Sequence, residues 1–205
     1  WPQVFGPLAQ AIAEFRLPQE LLDDLLDAFR QDVAWTQAAR RYADAPELLD
    51  YCRRSANPVG RLLLHLAAVD DAVARAQSDA ICSALQLINF WQDLSVDIPR
   101  GRYYLTDADR QQHGISLAAM QEREDTPALC QLVTDQARWA RDLMMHGAPL
   151  VHRVPGRAGW ELRLVVQGGL RILDKVDTLQ GRSLWVRKTV GKGDVRVMDW
   201  WALGM

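Results

Sequence analysis

The sequence predicts an all-α protein, and three observations support that fold class. Apolar residues recur at steps of three and four almost throughout the 205 residues. Valine, isoleucine and threonine nowhere alternate with polar residues over the length of a strand. Prolines stand at the start of several apolar-periodic segments, where the first turn of a helix tolerates them. We therefore expect a single helical domain over residues 1–205.

The same patterns predict the helices in order. Pro7 and Pro18 are placed to open the first two, and Asn57-Pro58 breaks the chain because the residue before a proline avoids helical dihedrals. Pro99 and Gly101 end the long fifth helix, and Gly168-Gly169 is expected to interrupt the last one. We expect helices over 7–16, 18–39, 47–56, 59–69, 74–97, 117–123, 126–147 and 157–180.

The second predicted helix is amphipathic, and its apolar residues are expected to face the core. They are Leu21, Leu22, Leu25, Leu26, Phe29 and Val33.

Composition excludes several classes of protein. A formal net charge of −2 lacks the basic excess of a nucleic-acid-binding domain, so no nucleic acid is expected as a partner. Three distant cysteines and four histidines form neither C-x-x-C nor a zinc-type spacing. No run approaches the ~18 apolar residues of a membrane span, and residues 1–16 do not resemble a signal peptide. We expect a cytoplasmic protein, at most peripheral at the inner membrane face.

The tail, residues 181–205, mixes basic residues with tryptophans and leaves two alternatives open. It either docks on the helical bundle through the tryptophans or rests on an anionic membrane surface. The residues concerned are Arg182, Trp185, Arg187, Lys188, Lys192, Arg196, Trp200 and Trp201.

A narrow polar stripe runs along the long fifth helix. At 100° per residue, Gln86, Asn89, Asp93 and Asp97 fall within roughly 80° of one another, while apolar residues occupy most of the remaining circumference. Two carboxylates one turn apart suit Mg²⁺, which completes its octahedron with water and phosphate oxygens. The stripe therefore predicts a site for Mg²⁺ and a diphosphate.

Spacing alone is weak evidence for such a site. Asp23 and Asp27 share the same D-x-x-x-D spacing on the second helix, where they are expected to form a solvated acidic face. The second pair differs through its context, because Gln86 and Asn89 precede it and Gly101-Arg102-x-Tyr104 follows it.

That context resembles the squalene/phytoene synthase family. Residues 86–105 look like the family's second aspartate-rich motif, residues 41–60 its tyrosine-containing segment, and residues 159–176 its late helix. The resemblance implies a class I isoprenoid synthase helical bundle that acts on an isoprenoid diphosphate, either presqualene or farnesyl diphosphate, with Mg²⁺ as cofactor. The resemblance is also compatible with other enzymes of the same pathway as protein partners.

The resemblance assigns roles to six residues of this sequence, and the chemistry of their side chains adds Tyr104 and Arg41 as candidates. Asp93 and Asp97 would bind Mg²⁺ and diphosphate, supported by Gln86 and Asn89, and Arg102 would hold the phosphate end. Tyr51 would face the reacting carbons, and Tyr104 is a candidate for stabilising a carbocation through its ring. Adjacent arginines on a helix point about 100° apart, so only one of Arg40 and Arg41 can reach the diphosphate, and we expect Arg41.

Two departures refine the resemblance. Gln92 and Val96 stand where condensing members commonly carry an arginine and an acid, which is typical of the HpnC-type hydroxysqualene synthases. These would convert presqualene diphosphate into hydroxysqualene; the alternatives are head-to-head condensation of two prenyl diphosphates and a non-catalytic helical scaffold. Nothing before Asp32 matches the family's first aspartate-rich motif, so we expect an N-terminally truncated chain of reduced or absent activity.

Overall fold

A computed structural model describes residues 1–187, 189, 191, 194 and 198. Within that part of the chain all regular secondary structure is helical and no strand occurs, which confirms the predicted all-α class. Its α-helices are Pro2–Phe15 (α1), Gln19–Gln37 (α2), Ala45–Ser55 (α3), Asn57–Leu66 (α4), Ala72–Asp97 (α5), Asp107–Gln112 (α6), Leu117–Glu122 (α7), Pro127–Gly147 (α8) and Gly156–Thr178 (α9). Short 3₁₀ turns cover Ile98–Arg100, Ala148–His152 and Arg182–Leu184.

Five of these helices begin at a side chain that caps them. In each case the capping oxygen accepts a hydrogen bond from the backbone N–H three residues later, which satisfies a donor that the first turn leaves unpaired. The caps are Asp44 for α3, Asp71 for α5, Thr106 for α6, Ser116 for α7 and Thr126 for α8.

Helix α5 forms the centre of the bundle and packs against α3, α4, α8 and α9. Two glycines allow its neighbours to approach closely. A Cβ at Gly60 of α4 would collide with Ser78 and Cys82 of α5, and one at Gly169 of α9 would lie 2.7 Å from Met144 and 3.2 Å from Leu85. The bare backbone at both positions therefore sets how tightly the layers pack.

Several predicted boundaries need correction. Helix α1 begins at Pro2, not at residue 7, and Pro7 lies inside it. Helix α9 is continuous through Gly168-Gly169, because Gly169 serves the close packing just described and does not break the helix. Helix α6 has only six residues, too few to show a helical period in the sequence.

The predicted core face of α2 is wrong for half of its residues. Leu21 and Ala28 are buried, but Leu26, Phe29 and Val33 are 53%, 65% and 60% exposed. These three residues form an i, i+3, i+7 stripe about 80–140° around the helix from Leu21. The helix therefore packs through one flank of its apolar face and leaves the other uncovered.

The described part of the tail is docked on the bundle. Leu184 is fully buried, and the indole N–H of Trp185 donates to the carbonyl oxygen of Arg123 at 2.9 Å. The Asp194 carboxylate binds both Arg171 and Lys175 of α9. The predicted membrane contact falls largely on Lys188, Lys192, Arg196, Trp200 and Trp201, which lie outside the described residues. Among the described helices, none has the length and apolarity needed to cross a bilayer.

We expect truncation of a leucine in α5 to destabilise the protein far more than the same change in α2. Leu87 is fully buried, so Leu87→Ala leaves a cavity and should lower the free energy of unfolding by about 2–5 kcal/mol. Leu26→Ala is the matched control, and it should change that free energy by less than about 1 kcal/mol because Leu26 is already exposed. Urea unfolding followed by circular dichroism measures both; equal losses would contradict this packing.

Candidate active site

A tight turn at the end of α5 assembles the candidate site. The helix ends at Asp97, the 3₁₀ turn Ile98–Arg100 follows, and Gly101 adopts a left-handed conformation with φ of 74° that other residues rarely take. The backbone N–H of Arg102 then donates to the carbonyl oxygen of Asp97 at 3.0 Å. The chain thereby reverses and returns Arg102 and Tyr104 to the end of α5.

Aromatic rings form one wall of the site. The ring of Tyr104 stacks on that of Phe90 of α5, with centroids 3.7 Å apart and planes 9° apart. The centroid of Tyr42 lies 5.9 Å from that of Tyr51 and 6.1 Å from that of Tyr104. We call Tyr42, Tyr51, Phe90 and Tyr104 the aromatic cluster. Its member Tyr104 lies near enough to Asp97 for the charge of that carboxylate to contribute to the raised pKa of the phenol.

The two predicted metal ligands, Asp93 and Asp97, lie one turn apart near the end of α5, and both are partly exposed. Burial raises the pKa of the Asp97 carboxyl, and the negative charge of Asp93 raises it further. The nearby arginines 100, 102 and 187 only partly offset these two effects. A carboxylate pair of this kind is stabilised by a bound cation.

A guanidinium group already binds to Asp93, one member of this pair. Arg187 donates from Nε to Oδ1 of Asp93 at 2.5 Å and from its terminal nitrogen to Oδ2 at 3.1 Å, a two-pronged charge-assisted contact. Arg187 follows the buried Leu184, which anchors this segment on the bundle. The contact shows that Asp93 attracts a cation in the folded protein.

The acid pair fits Mg²⁺, whose preferred ligands are oxygens and which needs few protein carboxylates. Within the described residues, no group of three or more histidine, cysteine, aspartate or glutamate side chains is placed to hold a metal ion. Asp93 and Asp97 would therefore supply the protein ligands, and water and phosphate oxygens the others.

A third carboxylate lies on another helix beside the same turn. Asp32 of α2 accepts a hydrogen bond from the Tyr51 hydroxyl at 2.8 Å. It also lines a small cavity of about 20 Å³ together with Arg102 and Tyr104. Burial raises the pKa of the Asp32 carboxyl, although the Tyr51 hydrogen bond and the charge of Arg102 oppose that rise.

The predicted tyrosines take different positions around this cavity. Tyr104 lines it, whereas Tyr51 is 4% exposed and lies outside the lining, with its hydroxyl bound to Asp32. Burial is the main cause of the raised pKa of both phenols, so both are neutral at physiological pH.

The predicted substrate-binding residues do not all lie at the cavity. Arg102 is exposed at the cavity, next to the acid pair. Gln86 is partly buried and Asn89 exposed, and neither side chain makes a hydrogen bond with a described residue. Arg41 lies outside the cavity lining and forms a two-pronged salt bridge with Asp107, at 3.0 and 3.1 Å, that ties α6 to the loop before α3. The assigned roles of Gln86, Asn89 and Arg41 stay predictions.

A larger cleft, of about 800 Å³, lies between α8 and the end of α9. Its charged side chains bind one another: Arg141 pairs with Asp174 and Asp177, and Arg138 pairs with Asp135. These charges are matched at the surface, whereas Asp97 of the acid pair forms no salt bridge with a described residue, so the acid pair of α5 is the better candidate for chemistry.

Comparison with known proteins decides the family. Residues 1–193 match the sequence profile described as squalene/phytoene synthase. The chain belongs to the squalene/phytoene synthase family. The crystal structure of squalene synthase HpnC from Alicyclobacillus acidocaldarius superposes on this family member with a TM-score of 0.80 at 35% sequence identity, over 86% of this chain and 65% of that one. The predicted isoprenoid synthase bundle is thereby confirmed.

Two hydroxysqualene synthases are similar to this squalene/phytoene synthase family member. The protein of Rhodopseudomonas palustris is 32% identical over 173 residues, and that of Sinorhizobium fredii is 31% identical over 170 residues. The matches cover 83% and 82% of this chain, but only 58% and 56% of the two relatives. The chain thus spans little more than half the length of these proteins.

Two residues of the site are not among the predicted ones. Asp32 falls on the same helical stripe as Leu21, Ala28 and Trp35, the face of α2 that packs inward, and an acid on an inward face is a signal of function that the sequence contains. The pairing of Arg187 with Asp93 spans 94 positions, and no local pattern indicates it.

Removal of the Asp97 charge should stabilise this protein at neutral pH. Because the pKa of Asp97 is raised on folding, the folded state binds a proton more tightly than the unfolded state, so stability falls as pH rises from about 4 through the raised pKa. The Asp97→Asn variant lacks this loss of stability with rising pH. Its melting temperature in a metal-free buffer should exceed that of the parent by a few degrees at pH 7 and approach it near pH 3.

The exposed Asp23→Asn serves as the control for this measurement and should leave the melting temperature unchanged at both pH values. A lower melting temperature for Asp97→Asn at pH 7 would show that the arginines outweigh burial and the repulsion from Asp93.

Proposed function

We propose that this protein converts presqualene diphosphate into hydroxysqualene in a Mg²⁺-dependent reaction that releases diphosphate. The observation that carries the proposal is the acid pair Asp93 and Asp97 beside two arginines and the aromatic cluster. Support also comes from the two hydroxysqualene synthases among its relatives.

The polar half of the site suits the diphosphate. Asp93 and Asp97 would hold Mg²⁺, which when bound neutralises the negative charge that develops on the leaving diphosphate. Arg102 and Arg187 present guanidinium groups, whose planar donors match phosphate oxygens in pairs. Transfer of Arg187 from Asp93 to a phosphate would exchange one ionic contact for another.

The aromatic half suits the cation. Loss of diphosphate leaves a carbocation, and an aromatic face attracts a cation most strongly where water is excluded. Tyr104 and Phe90 are buried and stacked on each other, so their rings are held in place by packing. Because the pKa of Tyr104 is raised, its hydroxyl keeps its proton during the reaction.

The choice of presqualene diphosphate over two prenyl diphosphates rests on Gln92 and Val96, which replace the arginine and the acid of condensing enzymes. Assays with each of the two candidate substrates test this choice. The protein should form hydroxysqualene from presqualene diphosphate and should form no C30 product from farnesyl diphosphate alone.

The acid pair should be required for diphosphate binding and turnover. Asp93→Asn/Asp97→Asn should lose at least about 100-fold in hydroxysqualene formation, because charge stabilisation by a metal contributes several kcal/mol. Mg²⁺ with farnesyl thiodiphosphate, at about 100 times the dissociation constant, should raise the parent's melting temperature by roughly 5–10 °C. The double variant should show no such rise.

The sequence offers a matched control for this double variant. Asp23→Asn/Asp27→Asn changes a pair of the same spacing on α2, and it should retain both the activity and the thermal shift. A parent protein that melts cooperatively but shows neither turnover nor a Mg²⁺-dependent shift would contradict the proposal and favour a helical scaffold.

Arg187 should compete with Mg²⁺ for Asp93. In the absence of diphosphate, Arg187→Gln should bind Mg²⁺ roughly 2–5-fold more tightly, since it lacks a partly exposed ion pair that the metal must displace. Isothermal titration calorimetry with MgCl₂ measures the effect. Arg182→Gln, which removes a more distant pair with Asp125, is the control, and an unchanged affinity for Arg187→Gln would contradict the competition.

A further inference from the structure

Asp32 is an acid that the aspartate-rich motif does not include, yet it lines the cavity beside Arg102 and Tyr104. Its two carboxylate oxygens differ. Oδ2 accepts the hydrogen bond from the Tyr51 hydroxyl at 2.8 Å, while no described residue donates to Oδ1. Oδ2 is therefore held by Tyr51, and Oδ1 is available to a ligand.

The cavity next to this carboxylate has the dimensions of a water site. Its volume of about 20 Å³ exceeds the roughly 10–15 Å³ that one water molecule requires. A bound water also needs two to four polar partners. Asp32 can accept a hydrogen bond there, and Tyr104 and Arg102, whose side chains carry hydrogen-bond donors, line the same cavity.

We propose that Asp32 is a further catalytic residue, which binds the water molecule that captures the carbocation and accepts a proton from it. Tyr51 acts as a positioning residue, because its hydroxyl holds Oδ2 and so directs Oδ1. This inference rests on the proposed function and adds to it the source and fate of the proton.

The step balances without any further reactant. After diphosphate has left, a lone pair of the water oxygen forms the new C–O bond to the cationic carbon. One O–H bond of that oxygen then breaks, its electron pair stays on the oxygen, and the proton passes to Oδ1 of Asp32. The products are the neutral alcohol and a protonated Asp32, which returns its proton to solvent, while Tyr51 keeps its own.

Asp32 is better placed for this role than either acid of α5. Asp93 is bound by Arg187, and together with Asp97 it would hold Mg²⁺ and the diphosphate. Asp32 belongs to a different helix, stands beside the aromatic cluster, and is a stronger base than an ordinary aspartate because burial raises its pKa. The charged and titratable groups around it are Tyr51 from α3, Arg40 and Tyr42 from the loop before α3, and Arg102, Tyr103 and Tyr104 from the loop after α5.

The experiment measures hydroxysqualene formed per diphosphate released in single turnovers of presqualene diphosphate with Mg²⁺. Asp32→Asn should release diphosphate within a few-fold of the parent rate, because ionisation precedes the proton transfer. Its yield of hydroxysqualene per diphosphate should fall by roughly 10²-fold, the size of a general-base effect. Asp23→Asn, on the exposed side of the same helix, should match the parent in both quantities.

The pH dependence of that yield separates catalysis from a structural role. The yield should fall as acid protonates Asp32, and Tyr51→Phe should move the fall to higher pH, because the Tyr51 hydrogen bond lowers the pKa of Asp32. Merely loosened packing would lower the yield at every pH without moving the midpoint.

Two results would overturn the inference. If Asp32→Asn forms hydroxysqualene in the parent's yield, or if Tyr51→Phe leaves the pH midpoint in place, Asp32 does not accept the proton, and the proposed function stands without it. If the parent protein releases no diphosphate from presqualene diphosphate, the proposed function fails, and the role of Asp32 fails with it.

Discussion

The burial of helix α5 is the constraint on which the rest of the structure depends. Eleven of its 26 residues are buried, and they lie around most of its circumference, so α3, α4, α8 and α9 must surround it. Gly60 and Gly169 let two of those neighbours approach closely enough to do so. Only a narrow polar stripe is left for ligands. Placement of the carboxylates is thus a result of core formation and needs no separate scaffold.

Electrostatics at the end of α5 oppose folding and favour binding at the same time. Partial burial and the mutual repulsion of Asp93 and Asp97 make the metal-free site less stable than a neutral one. Arginines from the following turn and from the tail offset part of that repulsion. A cationic ligand would offset the rest of the repulsion, so the free energy that this repulsion costs the free protein would strengthen the binding of that ligand.

The sequence predicts the parts of this protein that depend on local pattern. The long helix, its polar stripe and the turn at Gly101 follow from helical periodicity and from the special residues that end a helix. Periodicity shows that α2 is amphipathic but not which flank finds a partner, and Phe29 and Val33 remain exposed as a result. The surroundings of Asp32 come from α3 and from the loop after α5, and local spacing in the sequence does not predict such tertiary neighbours.

The contact between Arg187 and Asp93 joins positions 94 residues apart through one carboxylate. Binding equilibria that share a group are reciprocal: a ligand that draws Arg187 away changes the energy of the segment that carries it, and a change in that segment alters the ligand's affinity equally. A ligand at Asp93 would therefore be thermodynamically coupled to the segment that carries Arg187. Protection of the backbone amides at Leu184 and Trp185 from hydrogen exchange would then report ligand binding at the end of α5.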